Sequence, residues 1–224
     1  MSTFTLKIIA ILAMLIDHIS AIFINDNTPL FWITRGIGRI AFPIFCFLIV
    51  EGYYRTSDVK KYLLRLGVFA LISEVPFDLC FYGTPFNIGH QNVFFTLFLG
   101  LCTIYGIDKV KKKYKGQQMT ELMGTFAVAM VAMFASQLLF TDYNIYGILL
   151  ILCFYMMRGQ KIVLAIAIVA ITVIMSHPIQ YVAVVAFVPI FLFNGRKGPN
   201  VKYLFYAFYP VHLLILYLIQ ILIK

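Results

Sequence analysis

Charge is scarce in this chain. Asp, Glu, Lys and Arg make up 12% of its 224 residues, against roughly 25% in soluble domains. The apolar residues reach 62%, and a soluble fold of this length lacks the interior to hide so much apolar surface. Cysteine is also rare. Cys46, Cys80, Cys102 and Cys153 lie inside apolar runs with no C-x-x-C spacing, which excludes a disulfide framework or a cysteine metal site and leaves them as small packing residues. The patterns H-E-x-x-H, Walker A and G-x-S-x-G are missing, so zinc proteolysis, ATP-driven transport and serine hydrolysis have no support. No internal repeat or low-complexity segment is found.

What is there is a series of long apolar runs, at about 6–24, 36–55, 60–80, 92–108, 119–140, 143–158, 161–176, 179–193 and 203–223. At about 20 residues per crossing, nine spans use about 180 residues and leave room only for loops. The breaks carry turn residues: Asn25 to Pro29, Thr56-Ser57-Asp58, Gly83-Thr84-Pro85, Arg158-Gly159-Gln160, His177-Pro178, and Asn194-Gly195 through Pro199-Asn200. The expected fold is all-α, a polytopic transmembrane bundle of about nine spans, with residues 1–224 forming one integral membrane domain. The first run reads as a span rather than a cleaved leader, because Asp17-His18 interrupts it and no A-x-A site follows.

Cations alternate from loop to loop. The even loops hold Arg55, Lys60 and Lys61, then Lys109, Lys111, Lys112, Lys113 and Lys115, then Arg158 and Lys161, then Arg196, Lys197 and Lys202; the odd loops hold only Arg35. Positive residues stay cytoplasmic, so the amino terminus is expected inside, the carboxyl terminus outside, and the protein in the cell membrane. Most of the +9 net charge is then topology, with the lipid bilayer and not nucleic acid as the partner.

Ionisable groups inside spans need a partner, a wet cavity or a task, since a lone charge there costs about 2.5–3.5 kcal/mol even on a lenient scale. The runs contain Asp17, His18, Arg39, Glu51, Glu74, Asp78 and His212. At 1.5 Å per residue, Asp17 and His18 lie roughly 16–18 Å into the first span, Glu74 about 20 Å into the third and His212 about 14 Å into the ninth. These four share a layer from the midplane outward, with Arg39 and Asp78 above it. Ala10, Ala13, Ser20 and Ala21 place Asp17 on a small-residue stripe facing the bundle. His18 points about 100° away from Asp17, so the two do not pair. Glu74 and Asp78 share one face, and Pro76 between them is expected to loosen the helix and open backbone groups toward a cavity. A purely structural pair of Arg39 with Asp17 or Asp78 is the bland alternative. Glu51 reads as a surface pair with Arg55, and Arg65 as a snorkelling side chain.

Two classes fit this pattern: a proton- or ion-coupled transporter with buried acids as relays, or a membrane transferase in which a neutral His takes a proton from an acceptor while a carboxylate orients it. The missing repeat symmetry and the odd span count favour the transferase. A haem site between His18 and His212 is disfavoured by the carboxylates around them.

Several motifs, in order, resemble one family. They are Leu6-Lys7 through Met14-Leu15-Ile16-Asp17-His18; Gly38-Arg39-Ile40-Ala41-Phe42-Pro43 with Glu51-Gly52-Tyr53; Lys61 through Leu66 with Ser73-Glu74-Val75-Pro76-Phe77-Asp78; Asn92-Val93-Phe94-Phe95-Thr96-Leu97; and Tyr209-Pro210-Val211-His212-Leu213. Together they resemble the TraX family of membrane proteins, nearly end to end and most weakly between about 109 and 200. The resemblance implies acetylation of a pilin amino terminus. The Tyr-Pro-x-His element is also similar to a wider group of transmembrane acyltransferases that move an acyl group from cytoplasmic acyl-CoA to an acceptor on the far side. The Arg-x(10)-His element of the acyltransferase 3 family is absent, so that family's residue roles are not carried over.

On this reading His18, or alternatively His212, is the general base or transient acyl carrier. Asp17 or Glu74 orients it, and Arg39 holds an anionic or carbonyl oxygen. Asp78, His90 and Asn92 are further substrate candidates, the last two at the outer mouth. Lys60, Lys61, Lys109, Lys111, Lys112, Lys113, Arg196, Lys197 and Lys202 are candidates for the CoA phosphates. The expected donor is acetyl-CoA and no metal is called for; the expected acceptor is pilin, a glycan or another cell-surface molecule.

Overall fold

A computed structural model of the chain describes residues 1–199 and 202–223. Asn200 and the side chain of Lys202, both named above, lie outside the described residues. The elements are α1 (Thr3–Phe23), α2 (Pro29–Gly38), α3 (Ala41–Arg55), α4 (Val59–Tyr82), α5 (Val93–Lys113), α6 (Gln118–Leu138), α7 (Asn144–Met156), α8 (Lys161–Met175), a 3₁₀ segment (Pro178–Ala186), α9 (Phe187–Phe191) and α10 (Lys202–Ile223). Among the described residues the sole strand-like contact is an isolated bridge between Gln91 and Thr141. Five stretches are long and apolar enough to cross a membrane: Thr3–Phe23, Pro29–Arg55, Val93–Lys113, Gln118–Leu138 and Tyr203–Ile223. The outer surface is correspondingly greasy, with Leu12, Leu71, Phe126, Phe134 and Ile166 all exposed.

Each of the nine apolar runs coincides with a helical segment, with three differences. The first loop is mostly helix. Thr28 caps α2 by accepting from the Phe31 amide, and Pro29 stands at the first helical position, where its missing N–H does no harm. Arg39 and Ile40, both in helical backbone, then join α2 to α3. The run at 179–193 is a 3₁₀ segment followed by the five-residue α9, starting at Pro178 and carrying Pro189. Pro76 does not open α4, which runs unbroken from Val59 to Tyr82.

Antiparallel alternation gathers the turns into two sets. At one end the amino terminus meets the α9–α10 connection: the Thr3 amide donates to the Arg196 carbonyl (2.8 Å) and the Asn194 amide to that of Met1 (2.9 Å). Arg55 donates to the Gly195 carbonyl there (2.9 Å). At the opposite end the Gln91 amide donates to the Phe140 carbonyl (2.9 Å), tying the α4–α5 loop to the α6–α7 turn.

Burial sorts the helices. Nine of the 13 residues of α7 and ten of the 15 of α3 are buried, against two of 21 in α6, so α3 and α7 are central and α6 is a lipid-facing flank on α5 and α7. At 1.5 Å per residue, α7 and α8 are only about 20–22 Å long, shorter than a hydrocarbon core of about 30 Å. Where α7 starts late and α8 stops early, the bundle is left open.

Candidate active site

Asp17 and His18 stand side by side on α1 and enter different arrangements. Asp17 is buried and holds two guanidiniums from the α2–α3 unit. Its Oδ2 lies 2.8 Å from Arg35 Nη1 and 2.6 Å from Arg39 Nη2; Arg39 Nη2 also reaches Oδ1 at 2.7 Å. Arg35 and Arg39 are one turn apart on one helical face, so a single carboxylate can bridge them. Gly38 makes the approach possible, since a Cβ there would collide with the Asp17 side chain.

His18 pairs instead with His212 of α10, Nδ1 to Nε2 at 2.7 Å, with the rings nearly parallel. The bond fixes the tautomers. His212 Nδ1 lies 2.8 Å from the Phe208 carbonyl, which only accepts, so Nδ1 carries a proton. In neutral His212, Nε2 is therefore a lone pair, and His18 Nδ1 is the donor to it. Neutral His18 is left with its own lone pair on Nε2, the atom that can accept a proton from a substrate. Phe81 and Tyr209 pack edge-on against the His18 ring.

Glu74 and Asp78 form a third group. Glu74 Oε2 accepts from the Asn92 side-chain and backbone amides, and fully buried Asp78 accepts from the Asn87 amide at 2.7 Å. Glu74 Oε1 and Asp78 Oδ1 have no hydrogen-bond partner. Asn92 is wholly buried; its amide also donates to the Ala70 carbonyl and its oxygen caps α5. His90 bonds Asp142 at 3.2 Å. That bond raises the His90 pKa above its ordinary 6.5, against the opposing effect of burial. Asp142 was not foreseen, because it sits in the turn between two apolar runs; its neighbour Tyr143 stacks on Phe42. Among the described residues no three of His, Cys, Asp and Glu converge as metal ligands.

Two cavities flank these groups. The one at the amino-terminal end, termed inner (and its counterpart outer) after the expected sidedness, is about 410 Å³ and has Thr3, Lys7, Arg55, Lys197 and Pro199 around its mouth and Ile11, Met14, Phe45 and Leu97 along its throat. Phe94 and Tyr209 also line it, and the Tyr209 ring lies 6.0 Å from that of His18 and 5.6 Å from that of His212. Arg65 lines this cavity with a buried, unpartnered Nε, a placement that a snorkelling assignment misses. Glu51, also in the lining, is buried and bridges Arg55 and Arg158, each at 2.9 Å. The outer cavity, about 400 Å³, is formed by Arg39, Asp142, Tyr143, Tyr146 and Gln180 among others, at the short ends of α7 and α8. One helix thus connects both: Ile11 and Met14 face the inner cavity, while Asp17 holds Arg39 at the outer one.

Of the cations proposed for phosphates, Lys197 lines the inner cavity, whereas Lys60, Lys61, Lys109, Lys111, Lys112, Lys113 and Arg196 do not. Lys61 pairs with Asp58 (3.5 Å), and Lys109, Lys111 and Lys113 lie over Tyr105, Tyr155 and Tyr114.

Residues 2–220 match the family described as TraX protein. The chain belongs to the TraX family. A protein named Probable fimbrial assembly protein FimC, serogroup H1, of Dichelobacter nodosus is 28% identical over 240 residues, covering 96% of this chain and 94% of that protein. An uncharacterized protein of Rickettsia prowazekii (strain Madrid E) is 33% identical over 100 residues, 45% of this chain and 35% of its own. No solved structure matches.

Proposed function

We propose that this TraX-family protein is an acetyltransferase of the cell membrane that passes an acetyl group from cytoplasmic acetyl-CoA to an acceptor on the far side. The acceptor would be a pilin or fimbrial subunit, a glycan or another cell-surface molecule. The basic end is then the cytoplasmic face, the chain crosses nine times, and its carboxyl end lies outside. The reading is carried by one observation: an imidazole pair with a free lone pair at His18 Nε2, which lines neither cavity but packs on Tyr209 of the cation-mouthed one and adjoins Asp17, the partner of Arg39 in the polar one.

The residues fit the donor. Lys7, Arg55, Arg65 and Lys197 suit phosphates, the apolar throat suits the pantetheine arm, and Tyr209 ends the path beside the histidines. The acceptor nucleophile attacks the thioester carbonyl, its proton moves to His18 Nε2, and the C–S bond breaks as that proton passes to the CoA sulfur. His212 holds His18 in the tautomer that leaves Nε2 free, while Asp17 keeps Arg39 fixed near the developing oxyanion. The test is transfer of labelled acetyl from acetyl-CoA in proteoliposomes. Wild type should transfer and His18→Gln should not; equal transfer by both removes the imidazole from the chemistry.

A further inference from the structure

The outer cavity contains groups that neither the imidazole pair nor the ion cluster uses. Gln180 is only 6% exposed; its Nε2 makes no hydrogen bond of full geometry, with the Tyr146 hydroxyl as the one neighbour within its reach. A buried unpaired donor costs about 1–3 kcal/mol, so this amide is a seat for an oxygen that enters the cavity. Gln137, Asn144, Ser176 and the Tyr143 ring share the lining with it, giving uncharged donors and acceptors around an aromatic wall.

Charge narrows the ligand further. Arg35 and Arg39 are bound to Asp17, and Asp142 lies within electrostatic reach of both guanidiniums. Two guanidiniums thus face two carboxylates, and Asp142 is also bonded to His90, so a phosphate or an ammonium would have to be desolvated without a counter-ion of its own. A hydroxyl suits the site because it accepts from Gln180 and donates to a carboxylate or amide oxygen with the same atom. Several hydroxyls on a compact ring use several of these groups together.

We propose that the outer cavity binds a neutral saccharide, and, resting on the acetyl-transfer reading, that a sugar hydroxyl is the acetyl acceptor. In that step the hydroxyl oxygen bonds the thioester carbon, the C–S bond breaks, and the hydroxyl proton leaves through His18 to the CoA sulfur. The products are an acetyl ester and free CoA thiol.

Binding is tested apart from transfer. Saturation-transfer NMR and calorimetry on the full-length protein in detergent would use chitotriose and maltotriose as probes, against a tripeptide amide with a free amino terminus. The expected result is binding of at least one saccharide, weakened about tenfold or more in Gln180→Leu and in Gln180→Glu, which keeps the shape but replaces the amide donor with an acceptor. No saccharide binding, binding indifferent to a folded Gln180→Glu, or binding of the peptide alone overturns the proposal. Saccharide binding that needs Gln180 without any acetyl transfer upholds the site and removes the acetyltransferase reading. Transfer to a peptide amine without saccharide binding does the reverse.

Discussion

At the amino-terminal end of the bundle cations are numerous and largely exposed, as at Lys60, Lys112, Lys115, Lys161 and Lys197. At the opposite end the described cations are Arg35 and Arg39, both held against Asp17. The first arrangement suits a mobile polyanion arriving from water, because exposed cations attract it without a fixed geometry. The second suits a site where charge must stay in place in a low-dielectric setting, where every ion needs a partner. Between them lies the imidazole pair, which carries no obligatory charge and can therefore take up a proton.

The largest effect should come from that middle layer. His18→Gln and His212→Gln should each lower acetyl transfer by about 10²–10⁴-fold, measured as initial rates at saturating acetyl-CoA. The double variant should be little worse than the more severe single one, because the pair acts as a unit. Independent, additive losses would mean that the two rings do not share one task.

Stability sharpens the contrast between the ends. Asp17→Asn leaves two guanidiniums without their shared carboxylate and should cost about 3–5 kcal/mol, read from unfolding in detergent. Arg39→Gln should cost less, since Arg35 still neutralises Asp17. Arg35→Gln should cost least, its side chain being 25% exposed against 15% for Arg39. Lys60→Gln at the other end should stay within about 0.5 kcal/mol of wild type. Equal costs at both ends would erase the comparison.

A smaller effect is expected at the inner mouth. Arg65→Gln or Lys197→Gln should raise the KM for acetyl-CoA about tenfold, corresponding to about 1.4 kcal/mol, with kcat little changed. Lys112→Gln should leave both constants alone.

The smallest effect concerns pH. The Asp142 partner raises the pKa of His90 in the folded protein, so the contact contributes its full stability below about pH 6.5, the ordinary histidine value. That contribution is lost as pH rises through the raised folded value. The protection of the 83–92 loop amides, taken relative to their intrinsic base-catalysed exchange, should therefore fall on the alkaline side, and Asp142→Asn should abolish that fall.

Much of the fold is legible in the sequence because each apolar run reports directly on a helical segment. The placement of α2 was hidden by reading Pro29 as a break, although Thr28-Pro29 is a helix start. The site divides similarly. The divergence of Asp17 and His18 follows from 100° per residue, and the small residue at Gly38 is visible beside Arg39. The His18–His212 bond spans 194 positions, and no local pattern encodes such a pairing. Asp142 and Gln180 were missed for a related reason: one lies in a turn and one in a 3₁₀ segment, and they line a cavity left where α7 and α8 are short. The Lys109–Lys113 cluster drew attention by its density, while Lys7 and Arg65, each inside an apolar run, line the cavity.

Transfer across the bilayer is tested by its sidedness. Acetyl-CoA would be confined to the basic face of oriented proteoliposomes and the acceptor to the other, while the CoA thiol released and the acetylated product formed are followed on each side. Thiol is expected on the basic face and product on the opposite face in equal amounts, both abolished in His18→Gln. Thiol and product appearing on the same face, or equal amounts of both in His18→Gln, would contradict that expectation.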